Sequence, residues 1–397
     1  MEYYAKSKKV QFTSERINEI KKNMKNIEEC LKENLTETDV EILNSSITDI
    51  AEKTEEKQKT LKEHHKDIVT CAEMFFLEYG EYFTEKEKKL VVEACRIHDL
   101  GKVNLVFQAM ICPKLAEKFH IDVRKTQQIP HGFLSAVTIS LDEFDDLSEL
   151  FSDKDFGPFI TAVYYHHDRE DHYNSPAIRK YAEKYYMKQI EEYLNRKIRK
   201  LNCSNLDDLL FRNNVYTGKY IPDSNAWKEY LLIKGLLNKF DYTVSAGYEN
   251  AESAIDLHEK KLVKNIEKFL NGKELRPAQK FMKMNRDKNL IVIAPTGSGK
   301  TEASLLWMNG EKSFYTLPLK VSSNAIYLRI KENYEYKDVA LLHSDAMAVY
   351  LREYNGNEDI GEKYERSKML SQPLTVCTVD QLFRFVYRAL GTEIFAA

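Results

Sequence analysis

The run KEKKLVVEACRIHDLGK, residues 86–102, reads as a helix that ends in an adjacent histidine and aspartate, His98 and Asp99. Gly101 is able to terminate that helix, leaving His98 and Asp99 in its last turn, where they need not share a face. Working outward, four more segments offer metal-ligand residue types: LKEHHKDIV (61–69), HGFLSA (131–136), YYHHDRE (164–170) and NKFDYTV (238–244). Imidazole and carboxylate together suit Fe, Mn, Co, Ni or Zn, whereas carboxylates alone favour Mg or Ca. A carboxylate such as Asp99, bridging two cations roughly 3.5 to 4 Å apart, serves in-line phosphodiester cleavage: one cation activates water and the other stabilises the leaving oxygen. A lone histidine on a helix is more often packed or exposed, so the weight rests on the whole ordered set.

Helix geometry leaves some positions open. Leu61, Ile68, Ala72 and Phe75 form one face, and steps of about 100° put His65 nearer its centre than His64. His166 and His167 point apart in a regular helix, which makes one of them a candidate for a supporting role. Asp168 and His172 read as residues of a solvated turn, and for Asp241 the competing reading is a core-edge aspartate in a helix.

The remainder of the first 250 residues is helical in pattern. Between Ser14 and Phe76, Lys and Glu alternate with Ile17, Ile20, Met24 and Ile27 at helical spacing, and LLIKGLLNKFDYTVSAGY closes the region. The basic and aromatic stretch 178–200 is able to track a single nucleic-acid strand. Its Tyr181, Tyr185 and Ile190 spacing, diluted by Glu, favours instead a packed helix with a solvated face. After Glu259 the character changes: NLIVIAP, FYTLPL, VALLHS and LTVCTVD are strand candidates alternating with helical segments such as SSNAIYLRI, the pattern of a parallel α/β sheet. An all-α domain over 1–255 and an α/β domain over 256–397 are therefore expected, joined within a helical-looking stretch at 250–270.

The ordered series H, HD-x-G-K, H, HH, D resembles the HD nuclease domain of the CRISPR-associated nuclease and helicase of type I interference systems, over essentially the first 250 residues. That resemblance implies two transition metals (Fe, Mn, Ni or Co) and cleavage of single-stranded DNA. It implies His64, His98, Asp99 and Asp241 at one metal, and Asp99, His131, His166 and His167 at or near the second. Lys102 would help position phosphate beside the catalytic Asp99. The family's H-x-x-D spacing before an apolar pair, here Asp67, Ile68 and Val69, selects His64 over His65.

IVIAPTGSGKTEAS reads as strand, loop and helix, the context a phosphate-binding loop requires. Thr296, Gly297, Ser298, Gly299, Lys300 and Thr301 would hold ATP and Mg, with backbone amides at a helix N-terminus, the lysine on the terminal phosphates and the Thr301 hydroxyl on the metal. Ala294 stands where the general motif has Gly, and A-x-T-G-S-G-K-T resembles superfamily two helicases, which implies a RecA-like lobe. By the same resemblance ELRPAQ, with Arg276 and Gln279, matches an adenine-reading segment. Pro318, Arg329, Thr378, Asp380 and Gln381 stand at positions that contact DNA, although a structural role is as good an account of each. The D-E-x-[HD] box such a helicase needs for magnesium does not follow the loop before GTEIFAA; Asp142–Asp145 fits the string but precedes it. The lobe is thus expected to be incomplete, binding nucleotide weakly and turning over little ATP.

A formal charge of -3 over 397 residues offers no global attraction for nucleic acid, so contact with DNA must come from a local groove. The six cysteines are far apart and form no C-x-x-C, so neither a zinc ribbon nor a disulfide framework is indicated. No leader or span-length apolar run is evident, so a cytoplasmic monomer is expected, with single-stranded DNA and an RNA-guided surveillance complex as partners. The competing functions are an HD phosphohydrolase acting on nucleotides or signalling phosphates with a regulatory ATP-binding segment, and a non-enzymatic helical module with a nucleotide-sensing fragment.

Overall fold

The computed structural model describes residues 2–5, 59–139, 156–167, 175–198, 201, 225–253, 260–353 and 360–386. They divide between Ala251 and Glu252 into two compact units. The helical segments expected between Ser14 and residue 58, the Asp142–Asp145 string, and Asp168 and His172 lie outside the described residues.

The first unit is helical throughout: α1 (Leu61–Tyr79), α2 (Glu85–Ile97), a 3-10 turn (Leu100–Val103), α3 (Leu105–Ile111), α4 (Pro113–Lys118), α5 (His131–Thr138), α6 (Phe156–Tyr164), α7 (Ser175–Tyr185), α8 (Met187–Leu194) and α9 (Asn225–Ser245). Both α1 and α2 begin at capping boxes, Thr60 with Glu63 and Thr84 with Glu87. In each the threonine hydroxyl and the glutamate carboxylate satisfy otherwise orphaned backbone N–H groups. Every residue of α9 from Ile233 to Asp241 is buried, because this helix packs against α1, α2 and α6 at once. The basic and aromatic stretch breaks at Tyr186 into α7 and α8, and Ile178, Tyr186 and Ile190 lie in the core. The described part of that stretch is thus a packed surface rather than a continuous track.

The second unit holds α10 (Lys261–Leu270), α11 (Pro277–Met284), α12 (Lys300–Met308), β1 (Ser313–Leu317), α13 (Lys320–Glu332), β2 (Val339–Leu342), α14 (Ala346–Arg352), α15 (Ile360–Lys368), β3 (Leu374–Thr378) and α16 (Val379–Val386). The sheet is parallel with order β1-β3-β2, and β3, central, is buried along its whole length. NLIVIAP departs from expectation. Residues 289–295 form no strand, and Ile291 and Ile293 are 94% and 96% exposed. A β-branched run becomes a strand only where a neighbour shares its hydrogen bonds, and no described residue does so here.

Candidate metal centre and phosphate loop

α2 stops one residue short of His98, which is its C-cap, and Asp99 occupies the turn before the 3-10 segment. Gly101 therefore does not end the helix. It is required by close approach, since a Cβ there would stand 2.0 Å from the His131 carbonyl oxygen. The same packing holds at Gly132, where a Cβ would meet the Tyr164 carbonyl oxygen at 2.7 Å. Because α6 ends at Tyr164 and residues 165–167 form a turn, His166 and His167 escape the divergence of a regular helix; their rings lie 4.2 Å apart.

These turns bring the segments together in two groups that share one residue: His64, His98, Asp99 and Asp241, and Asp99, His131, His166 and His167. The two oxygens of Asp99 divide between them. Oδ2 lies 3.4 Å from both His64 Nε2 and His98 Nε2, while Oδ1 lies 3.2 Å from His131 Nε2 and 3.7 Å from His166 Nε2. Lys102 Nζ donates to Oδ2 at 2.6 Å, and Asp241 Oδ1 lies 3.1 Å from His64 Nε2. His64, not His65, is grouped with the candidate ligands of this centre. Cys71 is also buried on α1 and moves the centre of its inner face toward His64.

Hydrogen bonds to backbone fix how the rings point. His98 Nδ1 donates to the Cys95 carbonyl at 3.0 Å and His166 Nδ1 to the Val163 carbonyl at 2.6 Å. In neutral rings this leaves the Nε2 lone pairs turned inward. One then faces Asp99 Oδ2, and the other faces His131 Nε2 at 3.2 Å. Buried lone pairs so arranged repel unless a cation or proton lies between them, and His98 Nε2 and Asp99 Oδ1 have no hydrogen-bond partner among the described residues. The residues thus fit divalent cations of the imidazole-preferring kind.

Titration gives ionised carboxylates at Asp99 and Asp241 and neutral rings at His131, His166 and His167. Burial pushes His131 down to about 3 and lowers His166 and His167 as well. Burial also opposes charge on Asp99 and Asp241. It is outweighed at Asp99 by His98 and Lys102 and at Asp241 by His64, so both stay well below the usual carboxylate range. At His64 the hydrogen bonds to Asp241 and Asp99 overcome burial and raise its pKa.

Sequence reasoning passed over the frame that holds this centre. The buried Ser135 hydroxyl accepts from Gly101 N at 2.8 Å and donates to the His98 and His131 carbonyls at 2.6 and 2.9 Å. Asn104 Nδ2 donates to the Gly101 carbonyl at 2.6 Å, and Gln108 Nε2 to that of Lys102 at 2.8 Å. A Ser four residues after His131 was the available signal, since i and i+4 share a helix face.

In the second unit, Gly297 and Gly299 take left-handed φ of 75° and 83°, and α12 begins at Lys300. Thr296 and Gly297 are exposed, and Lys300 Nζ donates to the Ala294 and Pro295 carbonyls at 2.8 and 3.0 Å, folded onto its own loop. Ser298 and Thr301 are half-buried beside it. Gln279 is buried, with Oε1 accepting from Arg276 N at 3.0 Å and Nε2 donating to the Gly299 carbonyl at 3.3 Å, so its amide clasps the loop. Arg276 donates to the Gly297 carbonyl. Arg329 pairs with the buried Glu302 of α12, which also accepts from Tyr334 Oη at 2.6 Å, and this serves the helix behind the loop. Asp380 is exposed and accepts from Gln381 Nε2 at 2.6 Å.

A helical domain with a shared-aspartate histidine centre, followed by a parallel α/β unit with a glycine-rich phosphate loop, defines an HD-type domain coupled to a helicase-type one. Residues 51–226 match the family model of the Cas3 HD domain, and residues 277–392 match that of DEAD/DEAH box helicases; Asp241 lies past the first match. The CRISPR-associated nuclease/helicase Cas3 of Methanothermobacter thermautotrophicus is 24% identical over 407 residues, covering 86% of this chain and 48% of that protein. A putative CRISPR-associated nuclease/helicase Cas3 of Methanocaldococcus jannaschii is 30% identical over 123 residues, covering 28% of this chain and 17% of that protein. By this pair of domains the chain is similar to the Cas3 nuclease/helicases, with a Cas3-type HD domain over 51–226 and a DEAD/DEAH-type helicase segment over 277–392. It spans about half the length of the first relative and less of the second. Among the described residues no helix is long and apolar enough to cross a membrane.

Proposed function

We propose that the first unit is a metal-dependent nuclease that cleaves single-stranded DNA, acting with an RNA-guided surveillance complex in CRISPR antiviral defence in the cytoplasm. The second unit, on this reading, supplies an ATP- and Mg-binding loop to a DNA helicase. The observation that carries the proposal is the division of the Asp99 oxygens between two histidine-rich groups. A pair of Fe, Mn, Ni or Co ions held there by His64, His98, Asp99 and Asp241 and by Asp99, His131, His166 and His167 would supply an activated water and neutralise charge on a phosphodiester.

The protein's own groups do the rest. Cys95 and Val163 carbonyls hold His98 and His166 in one tautomer, so no ring has to reorient when a ligand arrives. Lys102 compensates Asp99 and stands as a cation beside the place a phosphate would occupy. Thr296 to Thr301 present the loop amides, the Lys300 ammonium and the Thr301 hydroxyl to nucleotide phosphates, with Gln279 bracing the loop.

The test adds Mn, Ni, Co or Mg in turn to metal-free protein with single-stranded DNA or mononucleotides. DNA cutting supported by the transition metals is expected. Hydrolysis of mononucleotides alone would move the assignment to a nucleotide phosphohydrolase, and inertness with no bound metal would reject both.

A further inference from the structure

His65 stands beside the centre without belonging to either group of ligands. Its ring centroid is 5.9 Å from that of His98 and 6.5 Å from that of His64, and its Nδ1 lies 3.1 Å from the Tyr193 hydroxyl. Tyr193, on α8, is itself held from two sides: Tyr3 packs edge-on at 5.8 Å, and Lys62 Nζ stands 5.8 Å from its ring centroid. His65 Nε2 is buried and has no hydrogen-bond partner among the described residues.

A neutral imidazole has one donor nitrogen and one acceptor nitrogen. Among the described residues His65 Nδ1 is the one acceptor recorded for the Tyr193 O–H. If the phenol donates to Nδ1, its hydrogen is satisfied inside the protein and Nε2 must carry the ring hydrogen. The result is a buried N–H, on a ring 5.9 Å from that of His98, that lacks an acceptor among the described residues. Such a donor is costly to leave unmet and gains most from an anion that arrives with the substrate.

We propose that His65 Nε2–H donates a hydrogen bond to a non-bridging oxygen of the phosphodiester held at the Asp99 centre, and that Tyr193 is the positioning residue that fixes the ring in this tautomer. The proposal rests on the nuclease reading above. No bond to His65 is made or broken; the donor meets charge that grows on the phosphate during in-line attack, where preorganised donors contribute most. The doubled histidine at 64–65 then divides its work, the first ring serving as ligand and the second contacting substrate.

The experiment compares wild type with His65→Ala, His65→Gln and Tyr193→Phe. It measures kcat and KM on a single-stranded oligonucleotide with Mn, metal bound per chain, and the melting temperature of the metal-free protein. His65→Ala is expected to lower kcat on the order of 10²-fold, with KM, bound metal and melting temperature little changed. His65→Gln, which keeps an N–H near the Nε2 position, recovers most of that loss, and Tyr193→Phe costs about tenfold. Should His65→Ala fail to fold, the Gln and Phe variants decide. Full activity in His65→Ala, loss of bound metal in step with activity, or a Gln variant no better than Ala overturns the proposal. A wild type that cuts no single-stranded DNA overturns the nuclease reading first, and this proposal with it.

Discussion

The two units hold their sites in opposite ways. In the first, five segments converge on Asp99, and all the candidate ligands but His167 are buried. In the second, one continuous loop carries the phosphate site, its lysine folds onto neighbouring carbonyls, and the run leading into it exposes Ile291 and Ile293. A site assembled from interior side chains is finished when the core packs. A phosphate loop is finished only when the run before it has sheet neighbours and a nucleotide occupies it. The contrast predicts that perturbing the first unit's site disturbs fold and chemistry together, while the loop tolerates change.

The largest effect is expected from Asp99→Ala, which removes the carboxylate common to both groups. DNA cleavage should fall on the order of 10³-fold or more, with metal lost from both groups; retention of either metal by elemental analysis would show that the groups are independent. Next, metal addition should stabilise one unit only. The chain has two tryptophans, Trp227 in the first unit and Trp307 in the second, so Trp307→Phe and Trp227→Phe leave one reporter each. Mn at 100 times its dissociation constant should stabilise the unit reported by Trp227 by about 2.7 kcal/mol. The Trp307 transition should not move, and a common shift would break the contrast.

Ser135→Ala should cost about 1–3 kcal/mol by stranding the buried Gly101 N–H. It should also weaken metal binding roughly 10–100-fold, as read by unfolding and metal titration. The smallest effect belongs to Ile291→Ser and Ile293→Ser, which should change stability by no more than about 0.5 kcal/mol each. A loss several times larger would mean that the run is paired after all.

The candidate centre was largely legible because its residue types are rare in apolar helices and occur in a distinctive order. What stayed illegible was geometric. Helical period could not separate His64 from His65 until Cys71 proved to share the buried face, and it set His166 against His167 because it assumed a helix where α6 has already ended. Ser135, Asn104 and Gln108 were overlooked because a polar residue in an apolar stretch shows no partner until the chain has folded. FYTLPL, VALLHS and LTVCTVD became β1, β2 and β3 while NLIVIAP did not, although its composition is no less strand-like. Composition speaks for a strand's own residues and is silent about its neighbours.

Gly101 carries a consequence for anyone who would alter this centre. With the His131 carbonyl oxygen 2.0 Å from where a side chain would begin, the span between the two groups of ligands is gauged by main chain against main chain. Ligand exchange, His for Asp or Cys, can retune which ion is preferred within that span. Changing the span itself requires moving two turns of backbone, so redesign of the centre has its freedom in donor chemistry and almost none in width.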